Sequence, residues 1–225
     1  MAEYAAFISY RHVAPDDVWA ERVLHDLETF VVPQELRGRN GYGRTIGRVF
    51  RDREELPAAG QLSPRLRQAL EESENLIVVC SPETPHSPWV NEEVAHFIAL
   101  GRRSRIFPLL IDGTPETSFP AALLGETVDG LPSIDGQVPL AADVRPDGAL
   151  SQARLRRRAV TMLAAAILDV GFDELVRRHD ARRRRQRGWA GFGAATAAAA
   201  IAVTANVVVQ LERQTEAQAA SEIER

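Results

Sequence analysis

The sequence predicts an α/β domain built on a parallel sheet flanked by helices over residues 1–175, followed by a single membrane-crossing helix over 189–209. Three observations carry this. Short apolar runs alternate with helix-period segments, the order that buries a parallel sheet between helical layers. Leu76-Ile-Val-Val-Cys80 is apolar at every position, as a strand covered on both faces must be. And 21 residues without a charge, Trp189 to Val209, directly follow an arginine block.

Taken in order, Tyr4 to Ser9 is a short apolar run ending in a polar turn and reads as a buried strand. Asp16 and Asp17 open a helix whose apolar positions Trp19, Val23, Leu27 and Phe30 recur at helical spacing. A Gly- and Arg-rich excursion over 31–48 leads to a strand near Ile46 to Phe50, then to the loop Arg51 to Gln61. Ser63-Pro64 is an N-cap and N1 pair for a helix carrying Leu66, Ala69 and Leu70. After the strand at 76–80, Pro88 starts a helix running to about Leu100. Arg105 to Ile111 is a fourth strand, in which Pro108 predicts an edge position or an irregularity. Residues 112–148 are rich in Pro and Gly, with a candidate strand near Gln137 to Leu140. Ser151 to Asp169 reads as an amphipathic helix and Phe172 to Gln186 as another.

Composition excludes several chemistries. The chain has 225 residues, 45% apolar and 26% charged, and all 27 basic residues are Arg. A lysine-dependent phosphate loop, a Schiff-base lysine and a serine-lysine dyad are therefore excluded. The lone Cys80 forms no internal disulfide, which fits a reducing compartment. His12, His25, His86, His96 and His179 are too scattered for a metal site, so no metal is expected.

The charge divides unevenly. Residues 1–150 hold 14 Arg and 23 acids, net -9; 151–188 hold 11 and 4, net +7; 189–225 hold 2 and 4, net -2. The basic segment, with 176–188 as a juxtamembrane helix, ends in Arg182-Arg183-Arg184-Arg185-Gln186-Arg187. A helix over 189–209 is about 31 Å long, enough for a hydrocarbon core of about 30 Å. Nine of its residues are Ala, so a soluble Ala-rich helix is the competing reading. The flanking arginines favour spanning, with the bulk of the chain cytoplasmic, anionic lipid as the partner of the basic segment, and 210–225 a polar tail. Without interleaved aromatics the arginine run does not read as a nucleic-acid surface.

Ligands of open parallel sheets gather at the carboxyl ends of the strands. The turns there carry Ser9-Tyr10-Arg11-His12, Arg51-Asp52-Arg53-Glu54-Glu55, Ser81-Pro82-Glu83 and Asp112-Gly113. Gly41-Tyr42-Gly43 with Gly47 has the wrong spacing for a dinucleotide fingerprint and precedes a strand.

Four blocks in order, Phe7-Ile-Ser-Tyr-Arg-His12, Val49-Phe-Arg-Asp-Arg-Glu-Glu-Leu56 with Gly60, Leu76-Ile-Val-Val-Cys-Ser-Pro82 and Ser87-Pro-Trp-Val-Asn-Glu-Glu93, resemble Toll/interleukin-1 receptor (TIR) domains, specifically bacterial ones. The resemblance covers roughly residues 4–112. It implies a flavodoxin-like sheet and, for many members, cleavage of NAD+ at the nicotinamide-ribose bond, here with a role in bacterial defence or stress signalling. NAD+ is then a substrate and no cofactor is needed. Other members only assemble as signalling adaptors, and that reading stays open, with self-association through the 51–61 loop.

The resemblance places the family's catalytic glutamate four residues after Trp89, at Glu93 and not at Glu92. One helical turn separates Trp89, Glu93 and Phe97 along a stripe, whereas Glu92 aligns with His96. An acid early in a helix also meets the helix dipole favourably, so position alone does not decide its role. Tyr10 and Arg11 fall where the family places part of its nucleotide pocket; a Tyr can stack on a ring and an Arg can grip a phosphate, against a solvated turn. Phe50 and Arg51 open the family's BB loop, which mediates assembly and gates the pocket, and with Trp89 complete the expected substrate-binding set. Residues 33–46 are longer than the family pattern and are expected at the pocket mouth.

Overall fold

A computed structural model describes residues 2–38, 41–51, 63–124, 141–146 and 148–177. It contains five parallel strands: β1 (Ala6–Ser9), β2 (Val49–Arg51), β3 (Leu76–Cys80), β4 (Ile106–Leu110) and β5 (Ala142–Asp143). Their order is β2-β1-β3-β4-β5. This is the flavodoxin-like winding that the resemblance implied, with the order reversing between β1 and β3. Ser9 pairs in register with Val78 of β3, and Ile8 with Arg51 of β2.

The helices are α1 (Asp16–Glu28), α2 (Pro64–Glu71), α3 (Pro88–Ala99), the single turns α4 (Pro115–Ser118) and α5 (Ala121–Leu124), and α6 (Gln152–Ile167). They cover two faces. One carries Ile8, Tyr10, Ile77, Val79 and Leu109 under Ala20, Val23 and Leu27 of α1 and Ala159, Leu163 and Ala164 of α6. The other carries Phe7, Val78 and Cys80 under Leu66 and Leu70 of α2 and Val90, Val94 and Phe97 of α3. Alternation of side chains along each strand produces the division: Ile8 and Phe7 cannot share a face. Each fully buried large aliphatic or aromatic side chain contributes about 2 kcal/mol, so the two clusters together hold the sheet.

Local signals explain the starts. Ser63 accepts the Leu66 N–H (3.2 Å) ahead of Pro64, and Ser87 accepts the Val90 N–H (3.4 Å) ahead of Pro88, so both Ser-Pro pairs are caps. Burial pushes the Cys80 thiol well above its usual range, leaving a neutral packing group.

Three expectations change. β4 is not an edge: it pairs with β3 and β5. Val144 N–H donates to the Leu110 carbonyl (3.0 Å) and Ile111 N–H to that of Cys80 (2.9 Å). Peptides along a parallel strand alternate sides, so the missing N–H of Pro108 faces the β5 side, where pairing begins only at Leu109. The fifth strand is Ala142–Asp143; the candidate at 137–140 lies outside the described residues. And the 33–46 excursion is not at the pocket mouth. Its Tyr42 is buried and donates to Glu74 Oε2 (2.7 Å), close to the Ile167 carbonyl (3.2 Å). Glu74 precedes β3 and Ile167 ends α6, so this segment closes the amino end of the sheet.

Residues 172–177 are helical. The basic segment beyond 177, the predicted span 189–209 and the tail 210–225 lie outside the described residues, as does the loop 52–62. Among the described residues no helix is long and apolar enough to cross a membrane.

Candidate functional site

Strands β1 and β3 are paired neighbours whose following connections leave on opposite faces, and such a switch point, at the carboxyl ends of the strands, is where sheets of this kind take ligands. Helices α1 and α3 begin there on opposite faces, because each follows a strand and runs back antiparallel to it. The two faces at this end are built differently.

On the α1 side stands Asp16, fully buried. Arg11 grips it through Nε (2.8 Å to Oδ2) and Nη2 (3.3 Å to Oδ1), and the Ser81 hydroxyl donates to Oδ2 (3.1 Å). Ser81 N–H donates to the Thr84 hydroxyl (2.8 Å), which donates to the Val79 carbonyl (3.3 Å). The turn after β1 is thereby bolted to the turn after β3. Hydrogen bonding from Arg11 to Asp16, against the cost of burial, holds the guanidinium above its ordinary range. Tyr10 is buried in the same face and stacks on His12 (centroids 4.6 Å apart). Above its ring, 5.8 Å away, sits the Arg51 guanidinium, whose Nη1 reaches the Asp17 carbonyl (3.4 Å).

On the α3 side the polar content is sparse. Val90, Glu93, Val94 and Phe97 form the buried stripe of α3, at spacings of one turn. Glu93 is 6% exposed, a carboxylate set into the apolar face at the second turn of the helix. Trp89, one turn earlier, is half-buried, and Phe97, one turn later, is fully buried. Glu92 is half-buried on the flank with His96, whose Nε2 lies 3.4 Å from Glu71 of α2. Phe50 stacks on Phe7 (5.2 Å) and meets Tyr4 edge-on (5.2 Å), on this same face.

The residues predicted from sequence are therefore gathered at one end of the sheet but divided between faces: Glu93 and Phe50 with α3, Tyr10 and Arg51 with α1. Arg11 is engaged with Asp16. Sequence reasoning missed Asp16 as a buried group, since an acid opening a helix is already accounted for by the dipole. It also missed Arg145, which donates to both oxygens of Asp143 (2.6 to 3.1 Å) and to the Gly113 carbonyl (2.6 Å), fixing the turn after β4. That pairing spans 32 residues, and no local pattern announces it.

The TIR domain family model matches residues 6–137. The NAD(+) hydrolase ApTIR of Actinoplanes sp. is 31% identical over 206 residues, a match taking in 82% of this chain and 26% of that protein. The chain thus spans about a quarter of that curated relative's length. Among solved structures, the TIR domains of an activated Roq1 resistosome recognizing the pathogen effector XopQ superpose with a TM-score of 0.39 at 17% identity, covering 75% of this chain and 85% of that one.

Proposed function

Because the chain belongs to the TIR domain family, we propose that it cleaves NAD+ at the nicotinamide-ribose bond, with Glu93 as the catalytic carboxylate. The observation that carries this is the burial of Glu93 in an apolar layer at the carboxyl end of the sheet, one turn after Trp89. Its similarity to an NAD(+) hydrolase supports the same reading.

The chemistry suits one carboxylate. Nicotinamide departs from C1′ as a pyridinium, takes the bonding electron pair and leaves neutral, so no acid is needed to protonate it. The deficit develops on the ribosyl centre, which is oxocarbenium-like. A carboxylate in a low-dielectric layer stabilises that charge more strongly than one in water. Water then adds to C1′ and releases a proton, giving hydrolysis; attack by the substrate's own adenine gives cyclisation. In this reading Glu93 would also hold ribose hydroxyls.

The proposal extends to setting. The charge-free stretch 189–209 behind its arginine block would anchor the domain to an anionic membrane, cytoplasmic side in, and raise the local concentration for self-association. A role in bacterial defence or stress signalling fits such an arrangement.

The test is NAD+ loss on incubation with the full chain, dilute and then concentrated or crowded. Turnover that Glu93→Gln abolishes supports the assignment. Absence of turnover under every condition would leave the non-catalytic adaptor as the better account, whereas an active Glu93→Gln beside a dead Glu92→Gln would keep NAD+ cleavage and overturn Glu93 as its carboxylate.

A further inference from the structure

Ser9 ends β1 and is 1% exposed, yet among the described residues its hydroxyl has no hydrogen-bond partner. A buried hydroxyl left unpaired costs free energy, and an alanine there would avoid it. The neighbours on the same strand, Ala6, Phe7 and Ile8, are apolar. Alternation turns Ser9 to the face of Phe7, and its register partner Val78 belongs to that face as well. Over it lies α3, whose buried stripe contributes Val90, Val94, Phe97 and the carboxylate of Glu93. Both Ser9 and Glu93 stand at the carboxyl end of the sheet, one from the last residue of a strand and one from the second turn of a helix. Two polar groups thus share an otherwise apolar layer, and one of them is unpaired.

We propose that Ser9 is a substrate-positioning residue of the NAD-cleaving site, its hydroxyl hydrogen-bonding a ribose hydroxyl of the bound nucleotide beside Glu93. The inference rests on the NAD-cleaving reading. Ribose fits better than phosphate because, of the arginines described at this end, Arg11 and Arg51 lie on the opposite, α1 side and Arg145 is taken up by Asp143 and the Gly113 carbonyl. A sugar hydroxyl both donates and accepts, matching a serine that is itself both. At 1% exposure the hydroxyl is reached only as the layer parts, so ligand binding and local opening are coupled.

The experiment uses the full chain with Glu93→Gln, so that NAD+ can be titrated without being consumed, against the same chain carrying Ser9→Ala. Loss of one buried hydrogen bond to ligand should raise the dissociation constant about tenfold. Ser9→Ala should melt at or above the temperature of its parent, because it removes an unpaired buried hydroxyl. In the otherwise wild-type chain, Ser9→Ala should lower kcat/KM by a similar factor, with Ser9→Cys, nearly the same volume, between the two. An unchanged dissociation constant overturns the role of Ser9 while leaving NAD+ cleavage standing. A lower melting temperature with unchanged binding assigns the hydroxyl to folding and overturns it too. Failure of Glu93→Gln to bind NAD+, together with a wild-type chain that consumes none, removes the NAD+ reading and this inference with it.

Discussion

The two faces at the carboxyl end of the sheet differ in how they hold polar groups: the α1 side is rich in them and the α3 side is sparse. On the α1 side, Asp16 is matched to Arg11 and Ser81, and Ser81 to Thr84, a connected network beside which only the Nε of Arg51 is buried without a partner among the described residues. On the α3 side, Glu93 sits buried along an apolar stripe and the Ser9 hydroxyl has no hydrogen-bond partner among the described residues. A saturated network fixes geometry but has little left to offer a ligand. A carboxylate and a hydroxyl in an apolar layer are costly at rest and strong when a ligand meets them. The difference separates a scaffold from the proposed site at the same end of one sheet.

The largest expected effect comes from the α3 side. Glu93→Gln keeps the shape of the side chain and removes its charge; NAD+ turnover should fall about a thousandfold, near 4 kcal/mol of transition-state stabilisation. Stability should hold or rise, since a buried carboxylate is costly to desolvate. Steady-state kinetics beside thermal denaturation would check both. A variant that loses stability and keeps its rate would place Glu93 in the scaffold and collapse the contrast.

The α1 side should behave in reverse. Asp16→Ala leaves Arg11 without its partner, and breaking a buried pair in this way should cost about 3 kcal/mol. The lower end of the usual range applies because the Arg11 side chain keeps 19% of its surface in water. Turnover per folded molecule should drop less than tenfold, through displacement of the turn that precedes α3. Denaturant unfolding of Asp16→Ala, Arg11→Ala and the double variant measures the coupling, which should make the double loss clearly smaller than the sum of the single losses. Additive losses would show that the pair is not the bolt.

How much of this was readable beforehand follows the range of each interaction. β3 was legible because burial on both faces leaves no polar position in five residues. The starts of α2 and α3 were legible because a Ser-Pro pair acts within one turn. α4 and α5 were not, since four residues are too few for a helical period to declare itself. Glu93 was singled out by the resemblance, which puts the family's glutamate four residues after Trp89; what the structure adds is its burial in the stripe of Val90, Val94 and Phe97. Asp16 was read as a helix opener, which it is; that it is also buried depends on Ser81, 65 residues away. Ser9 looked like the polar end of a strand, and only packing shows that no partner awaits it among the described residues.

A smaller effect is expected at the turn after β4, which borders both sides. Gly113 has φ +75°, and a Cβ there would meet Ser118 Oγ at 2.2 Å and Pro82 Cγ at 2.9 Å. Left-handed backbone is open to glycine at little cost, and the crowding adds to the penalty for any other residue. Gly113→Ala should destabilise by about 2 kcal/mol, measured by urea unfolding. Because Pro82 belongs to the turn that also carries Ser81, the NAD+ rate should fall a few-fold as well; an unchanged rate would show that the α1-side scaffold tolerates movement here.

The smallest effect is electrostatic and concerns Asp143. Burial pushes its carboxyl up, but hydrogen bonds from the Arg145 side chain and backbone, with the arginine's charge, outweigh that and hold it below the usual range. A carboxylate whose folded pKa is depressed adds stability above its unfolded value, about 3.9, and loses it as pH falls through the folded value. The loss should therefore appear only below about pH 4. With 44% of the Asp143 side chain and 36% of Arg145 exposed, solvent screening limits it to under about 1 kcal/mol. Glu116 is depressed in the same direction, first by its own backbone N–H and then by Thr114, so the acid limb of the whole protein cannot be assigned to one group. Asp143→Asn isolates it: the difference in unfolding free energy between wild type and variant should be constant from pH 5 to 8 and shrink below about pH 4. A difference that grows on acidification would mean that Asp143 is protonated more readily in the folded chain, and that Arg145 is held at Gly113 by its carbonyl bond alone.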